Sequence, residues 1–138
     1  MSVVLSESQE ALLRRSRNGT LGTVGASGGP HLGPVWYFWD GSCVRISTPG
    51  WTTKVADIRA DSRVAFCVDD QVSGEYLTIY GHAAIVAGER VTELTEPLLL
   101  AYLQADEAAA RWARINADCS RVVIVITPAR LAGRENVR

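Results

Sequence analysis

Four hydroxyl side chains and one ammonium group fall within eight consecutive positions of the chain. The sequence around them reads RISTPGWTTK, and the polar groups belong to Ser47, Thr48, Thr52, Thr53 and Lys54. The stretch predicts a strand, a Pro-Gly turn and the start of a helix, where backbone N–H groups lack partners. Hydroxyls, free N–H groups and a cation are typical of a phosphate site. An ordinary capped helix with a solvated lysine would show the same residues.

Lys54 is the only lysine of the chain, whereas arginine occurs thirteen times. A compact ammonium in an arginine-rich background indicates either a site that needs a point charge or chance. The composition alone leaves both interpretations open.

Four aromatic residues stand immediately upstream of this stretch, in the sequence VWYFWD. Trp36, Tyr37, Phe38 and Trp39 would alternate between the two faces of a strand. One face can fill the interior of a barrel while the other meets a planar ring or a partner subunit. Plain core packing is the alternative interpretation.

Other motifs that carry chemistry are absent from the sequence, which has no GxSxG, HExxH or CxxC pattern. The glycines between Gly22 and Gly29 precede a strand rather than a helix, so they predict a hairpin turn and not a dinucleotide site. His31 and His82 are each compatible with a structural role or with a ligand contact. No catalytic residue and no metal site are predicted, and any chemistry is expected to come from a cofactor.

Length and composition predict one domain over residues 1–138 of a globular protein. The net charge is −1 without a basic block, so nucleic acid is not an expected partner. The longest apolar run, 98–103, is too short to span a membrane, which the protein is not expected to contact. The first residues do not resemble a signal peptide, and the three cysteines are far apart, so we expect reduced thiols and a cytoplasmic location.

Periodicity and turn signals predict a mainly β (α+β) fold with a few short helices. A capping box at Ser6 and Gln9 begins a first helix that ends near Asn18. Gly81 indicates a bend or bulge in a long strand, and the last, continuously apolar strand is expected to be central. About six strands with a few short helices fit a closed or half-closed antiparallel barrel. The further helices are predicted at 52–60, 89–104 and 107–115, and the six strands at 20–26, 32–39, 43–48, 63–68, 75–86 and 122–127.

The stretch LGTVGASGGPHLGPVWYFWDGSCVRISTPGWTTKVADIRADSRVAFCVDD resembles the pyridoxamine 5′-phosphate oxidase-like family. The later segments EYLTIYGHAAIV and RVVIVITPARL extend the resemblance over about residues 10–131. It implies a six-stranded antiparallel split β-barrel of the FMN-binding type, formed as a homodimer. By the same resemblance Thr48, Thr53 and Lys54 would hold a cofactor phosphate, and the strand with Val35, Trp36 and Tyr37 would lie along a flavin or deazaflavin ring.

Short chains of this kind resemble the reductases that depend on the deazaflavin coenzyme F420. The resemblance therefore implies hydride transfer from reduced F420 to a small unsaturated or quinone-like molecule. An FMN-dependent oxidoreductase and a non-catalytic flavin- or deazaflavin-binding protein are the alternatives. Many family members carry a further basic residue where this chain has Thr52. We expect Arg59 and Arg63 to supply that charge by lining an exit for the acidic tail of F420.

Overall fold

Seven strands and four helices make up most of residues 3–135, the part of the chain that the computed structural model describes. The helices are α1 (Glu7–Arg15), α2 (Thr53–Ala60), α3 (Arg90–Tyr102) and α4 (Ala105–Asn116). The strands are β1 (Gly19–Val24), β2 (Pro30–Val35), β3 (Phe38–Trp39), β4 (Val44–Thr48), β5 (Arg63–Asp69), β6 (Tyr76–Val86) and β7 (Val122–Arg134). Among these residues no helix is long and apolar enough to cross a membrane.

The strands form one antiparallel sheet in the order β2-β1-β5-β6-β7-β4-β3. The two edge strands, β2 and β3, are joined only by Trp36 and Tyr37. Three Cα–Cα steps reach at most about 11 Å, whereas the edges of a flat seven-stranded sheet lie about 29 Å apart. The sheet must therefore curl until the end of β2 lies near the start of β3, which gives a half-barrel. The mainly β, barrel-like class predicted from the sequence is confirmed.

The predicted number of six strands is wrong, because the segment 32–39 is two strands, β2 and β3. Tyr37 breaks it by turning its side chain into the core, where it is 3% exposed and meets Phe66 edge-on. Its hydroxyl donates to the Leu13 carbonyl oxygen at 2.6 Å, and its backbone N–H donates to the Tyr102 hydroxyl at 3.0 Å. A buried tyrosine needs such a partner, and the partner here lies outside the sheet.

The last strand, β7, continues to Arg134 instead of ending at 127 as predicted. Pro128 cannot donate to a ladder, but it falls at a bulge where Tyr80 pairs with Arg130 and Gly81 with Pro128. The bulge predicted at Gly81 is thereby confirmed. A Cβ on Gly81 would overlap the Thr127 carbonyl oxygen, so the two backbones approach closely there. The strand β7 lies between β6 and β4, which confirms its predicted interior position.

The core fills the inside of the curled sheet with side chains from most of the strands. Phe66, Ile79 and Ile124 are fully buried at its centre, and α1 closes one end with Leu12 and Leu13. The predicted capping box of α1 is present, although the helix ends at Arg15, three residues earlier than expected. The core lies on the inner side of the curled sheet. Most residues of β2 and of the start of α2 are exposed or half-buried, so these segments can form the wall of a surface cavity.

Candidate functional site

Two adjoining cavities lie where β2, the start of α2 and the helices α3 and α4 come together. The large cavity has a volume of about 580 Å³ and lies between β1, β2 and the start of α2. The small cavity has a volume of about 210 Å³ and lies between β2, β4, α4 and the residue before β7. Pro34, Val35 and Lys54 line both, so the two form one continuous groove with Lys54 at the junction.

The walls of the large cavity are mostly apolar. Leu21, Leu32 and Val35 contribute aliphatic surface, and Trp51 stands at the rim with 78% of its surface exposed. A volume of this size with apolar walls is typical of sites for organic cofactors and substrates. The cavity can therefore accept a planar ring.

The small cavity is cationic, because Lys54, Arg111 and Arg121 all line it. No aspartate or glutamate lines either cavity. Within residues 3–135, none of the three cations has a carboxylate oxygen within 4.0 Å. Three positive charges without a paired carboxylate favour an anionic ligand.

The pairing of β4 with β7 explains how Arg121 reaches this cavity. Thr48 lies opposite Val122, so the residue before β7 stands beside the end of β4. The Arg121 Nε donates to the Ser47 Oγ at 2.9 Å, which fixes the guanidinium in place. Burial lowers the pKa of Arg121, Asp118 opposes this, and the neighbouring charge of Arg111 adds to the lowering. Such a partly buried cation gains from a bound anion.

The first turn of α2 adds further donors at the junction. The N-cap residue Thr52 accepts no hydrogen bond from the first turn with its side chain, and its hydroxyl donates to the Pro49 carbonyl oxygen at 3.0 Å. The first turn also has no acidic residue. Its N–H groups, near Thr53 and Lys54, are therefore left for a ligand with negative charge.

The structure brings five of the eight predicted site residues to the groove. Val35 and Lys54 line both cavities, Thr53 lines the large one, and Trp36 and Thr48 line the small one. One face of Trp36 is covered by the stacked ring of Tyr102, with centroids 4.5 Å apart. This leaves Trp36 less ring surface than a free aromatic platform would have.

The other three predicted residues line neither cavity. Tyr37 is in the core, as described above, and Arg59 is exposed on α2. Arg63 forms an ion pair with Asp61 at 2.6 Å, and hydrogen bonds from Arg63 lower the pKa of Asp61 to about 2. The cations at the groove are instead Arg111 and Arg121, which no local pattern in the sequence marks.

A second polar group, missed in the sequence, lies on the wall of the large cavity. Thr23 and His31 line the cavity, and both contact the carboxylate of Asp57 on α2. The Thr23 hydroxyl donates to the Asp57 Oδ2 at 2.7 Å, and the His31 Nδ1 lies 2.6 Å from the same oxygen. The hydrogen bond from His31 and then that from Thr23 lower the pKa of Asp57, so the buried carboxyl is ionised at neutral pH. His82 lines neither cavity and contacts the Ser62 hydroxyl.

Comparison with known proteins gives a family and several related structures. A model of the pyridoxamine 5′-phosphate oxidase family matches residues 5–134. The chain is similar to the conserved hypothetical protein Rv2991 from Mycobacterium tuberculosis, with a TM-score of 0.80 and 26% identity over 98% of this chain and 88% of that one. It is also similar to an F420 reductase, with a TM-score of 0.73 and 29% identity over 93% of this chain and 98% of that one.

General Stress Protein 26 from Bacillus anthracis shares the fold, with a TM-score of 0.71 and 20% identity over 92% of this chain and 91% of that one. A search of curated proteins found no match.

Proposed function

Because the chain belongs to the pyridoxamine 5′-phosphate oxidase family, we propose that it binds coenzyme F420 across the two cavities and transfers hydride from the reduced coenzyme to a small unsaturated or quinone-like molecule. One observation carries the proposal: three cations and no carboxylate line a groove whose larger part is apolar. The similarity to an F420 reductase supports the choice of cofactor.

The phosphate of the cofactor binds at the junction of the cavities. Lys54 supplies the charge, Thr48 and Thr53 supply hydroxyls, and the first turn of α2 supplies N–H groups. Charge-assisted hydrogen bonds of this kind are about twice as strong as neutral ones. The junction therefore anchors the ligand, and the groups on either side of the phosphate extend into the two cavities.

The ring of the cofactor occupies the large cavity, against β2. Val35 and Leu32 give it an apolar seat, and Trp51 stands at the rim. When bound, the reduced deazaflavin supplies the hydride. The chain's own part is to fix the ring beside its substrate and to keep water away from it.

The acidic tail of F420 lies in the small cavity. Arg111 and Arg121 are placed to pair with its carboxylates, the role that the sequence assigned to Arg59 and Arg63. FMN ends at its phosphate and leaves these two arginines without a ligand. The surplus of positive charge therefore favours F420 over FMN.

Fluorescence titrations with F420 and with FMN, each at low and high salt, test this proposal. We expect F420 to bind more tightly, and the difference to shrink at high salt because screening weakens the exposed tail contacts most. Adding 2-cyclohexenone or a quinone to the protein with reduced F420 should restore the visible absorbance of the oxidised coenzyme. Tighter binding of FMN, or a yellow protein on purification, would support the FMN alternative instead. Binding without turnover would support a non-catalytic carrier.

We further propose that the protein is a homodimer whose partner covers the large cavity. The edge strand β2 exposes 77% of Leu32, and Trp51 nearby is equally exposed. Apolar surface on an unpaired edge is typical of an interface. Light scattering at micromolar concentration should give twice 14.9 kDa. A clean monomer would contradict an interface at this site.

A further inference from the structure

His31 and Asp57 form a pair on the wall of the large cavity that the proposed cofactor site does not use. Asp57 is 6% exposed, and its Oδ2 is 2.6 Å from the His31 Nδ1. An ionised carboxylate can only accept hydrogen bonds, so Nδ1 carries a proton and donates it to Asp57. The tautomer and the orientation of the imidazole are thereby fixed.

The second ring nitrogen of His31, Nε2, is left for a ligand. It has no hydrogen-bond partner within residues 3–135, and the side chain is 54% exposed. The ring stands against Gly25, where a Cβ would lie 2.8 Å from Cε1 and 3.1 Å from Nε2. The absence of a side chain at Gly25 thus makes room for the imidazole in this position.

Stability alone gives a weak account of the pair. An ion pair with one partner more than half exposed contributes little to folding. Thr23 already donates to the same carboxylate oxygen at 2.7 Å. The arrangement does more for His31 than for the fold, because the buried carboxylate holds the imidazole in one orientation.

We propose that His31 is the proton donor for a conjugated carbonyl substrate in the large cavity, and that Asp57 is its positioning residue. The proposal rests on the proposed function, which supplies the hydride. Hydride forms a new C–H bond at the carbon β to the carbonyl, the C=C electron pair shifts to form a double bond between the α carbon and the carbonyl carbon, and the C=O electron pair moves onto the oxygen. That oxygen takes the proton from Nε2, which gives an enol and leaves a neutral imidazole that keeps its Nδ1 proton, hydrogen-bonded to Asp57. The enol then tautomerises in solvent to the saturated carbonyl product. Solvent then returns the proton to Nε2.

The charged groups around this step are few. Asp57 on α2 is the only ionisable group hydrogen-bonded to His31 in the described part of the chain, and Lys54 lines the same cavity. The other residues of β2 that line the cavity are apolar or glycine. A carbonyl compound that enters beside the ring therefore meets, at the His31 end, one ionisable side chain that lines the cavity.

The replacement His31→Gln tests the donor, with 2-cyclohexenone as the probe. General acid catalysis is worth about 10²- to 10⁴-fold, so the single-turnover rate with reduced F420 should fall by about 100-fold or more. Affinity for oxidised F420 should change far less than the rate, since His31 lines the ring cavity but not the small cavity assigned to the tail. His82→Gln is the matched control, because His82 is also hydrogen-bonded but lies outside both cavities. The wild-type rate should be slower in D₂O, because the proton on Nε2 exchanges with solvent.

Nitrogen NMR tests the positioning role without any cofactor. The chain has only two histidines, so the His82→Gln variant assigns the spectrum. At alkaline pH, where imidazole is neutral, Nδ1 of His31 should carry the proton in the wild type, and Asp57→Asn should abolish this preference. An unprotonated Nδ1 in the wild type would overturn the pair.

The remaining outcomes separate this proposal from the proposed function. Normal F420 binding with an unchanged rate in His31→Gln overturns the proton donor and leaves the cofactor site intact. A large loss of F420 affinity in the same variant makes His31 a binding residue and also overturns the donor. A wild-type protein that binds no F420 overturns both.

Discussion

Removing two cations from the small cavity together, by Lys54→Ala and Arg121→Met, should lower the affinity for F420 by about 10²- to 10⁴-fold. Each charge-assisted contact is worth about 1.5–3 kcal/mol, so each single variant should lose about 10- to 150-fold. Lys54→Arg should restore only part of the affinity, because a planar guanidinium differs from a point charge. Fluorescence titration of the single and double variants measures both effects.

The matched control is Arg130→Met, which removes a cation from β7 outside both cavities. Arg130 packs over the ring of Tyr80 at 3.9 Å. Its variant should bind F420 as the wild type does, and so should Arg59→Met. If Arg59→Met lowered F420 affinity as much as Arg121→Met, the tail would lie beside α2, as the sequence predicted. Unchanged affinity in the double variant would show that the phosphate does not bind in the groove.

The second large effect is expected from Gly50→Ala. A Cβ at this position would overlap the carbonyl oxygen of Ser120 and stand 3.6 Å from a methyl group of Val122. Both obstacles belong to the entry into β7, so relief requires the turn after β4 to move away from it. Overpacking of this kind costs about 1–3 kcal/mol, and we expect that loss in the free energy of unfolding.

The same displacement separates Arg121 from Ser47 and Thr48, so F420 affinity should fall along with stability. Urea unfolding and fluorescence titration measure the two quantities. Gly29→Ala is the control, because its Cβ would meet only the Ser27 Oγ at 3.9 Å. If Gly50→Ala were as stable as Gly29→Ala, the close approach at Ser120 would not exist.

Local patterns in the sequence marked those parts of the candidate site that come from neighbouring residues. The strand, turn and helix start from Ser47 to Lys54 form one continuous segment, so their hydroxyls and cation could be recognised together. The helices and most strands also follow from short-range periodicity and turn signals. The short-range prediction that fails is the single strand through the aromatic run. Tyr37 lies between β2 and β3, and its hydroxyl donates to the Leu13 carbonyl oxygen.

The residues that the sequence missed reach the site through long-range pairing. Arg121 arrives because β7 pairs with β4, and nothing near Arg121 in the sequence marks that register. In the sequence, Asp57 is an ordinary polar residue of a predicted helix. Its side chain is buried against Thr23 and His31, which come from two different strands. In the same way Arg63 looked available for an anion but is engaged by Asp61 two positions away. Side-chain partners of this kind are decided by the fold.

Lys54 stands half-buried at the junction of the cavities and is the only lysine of the chain. Amine-directed reagents therefore find a single side chain to modify, besides the α-amino group. Acylation at Lys54 adds one mass increment, and a ligand at the junction shields that nitrogen, so intact-mass measurement reads occupancy of the site without any substitution. The same reactivity matters for binding assays that attach the protein to a surface. Immobilisation through amines would tether the molecule at its α-amino group or at Lys54, and attachment at Lys54 would block the proposed phosphate site.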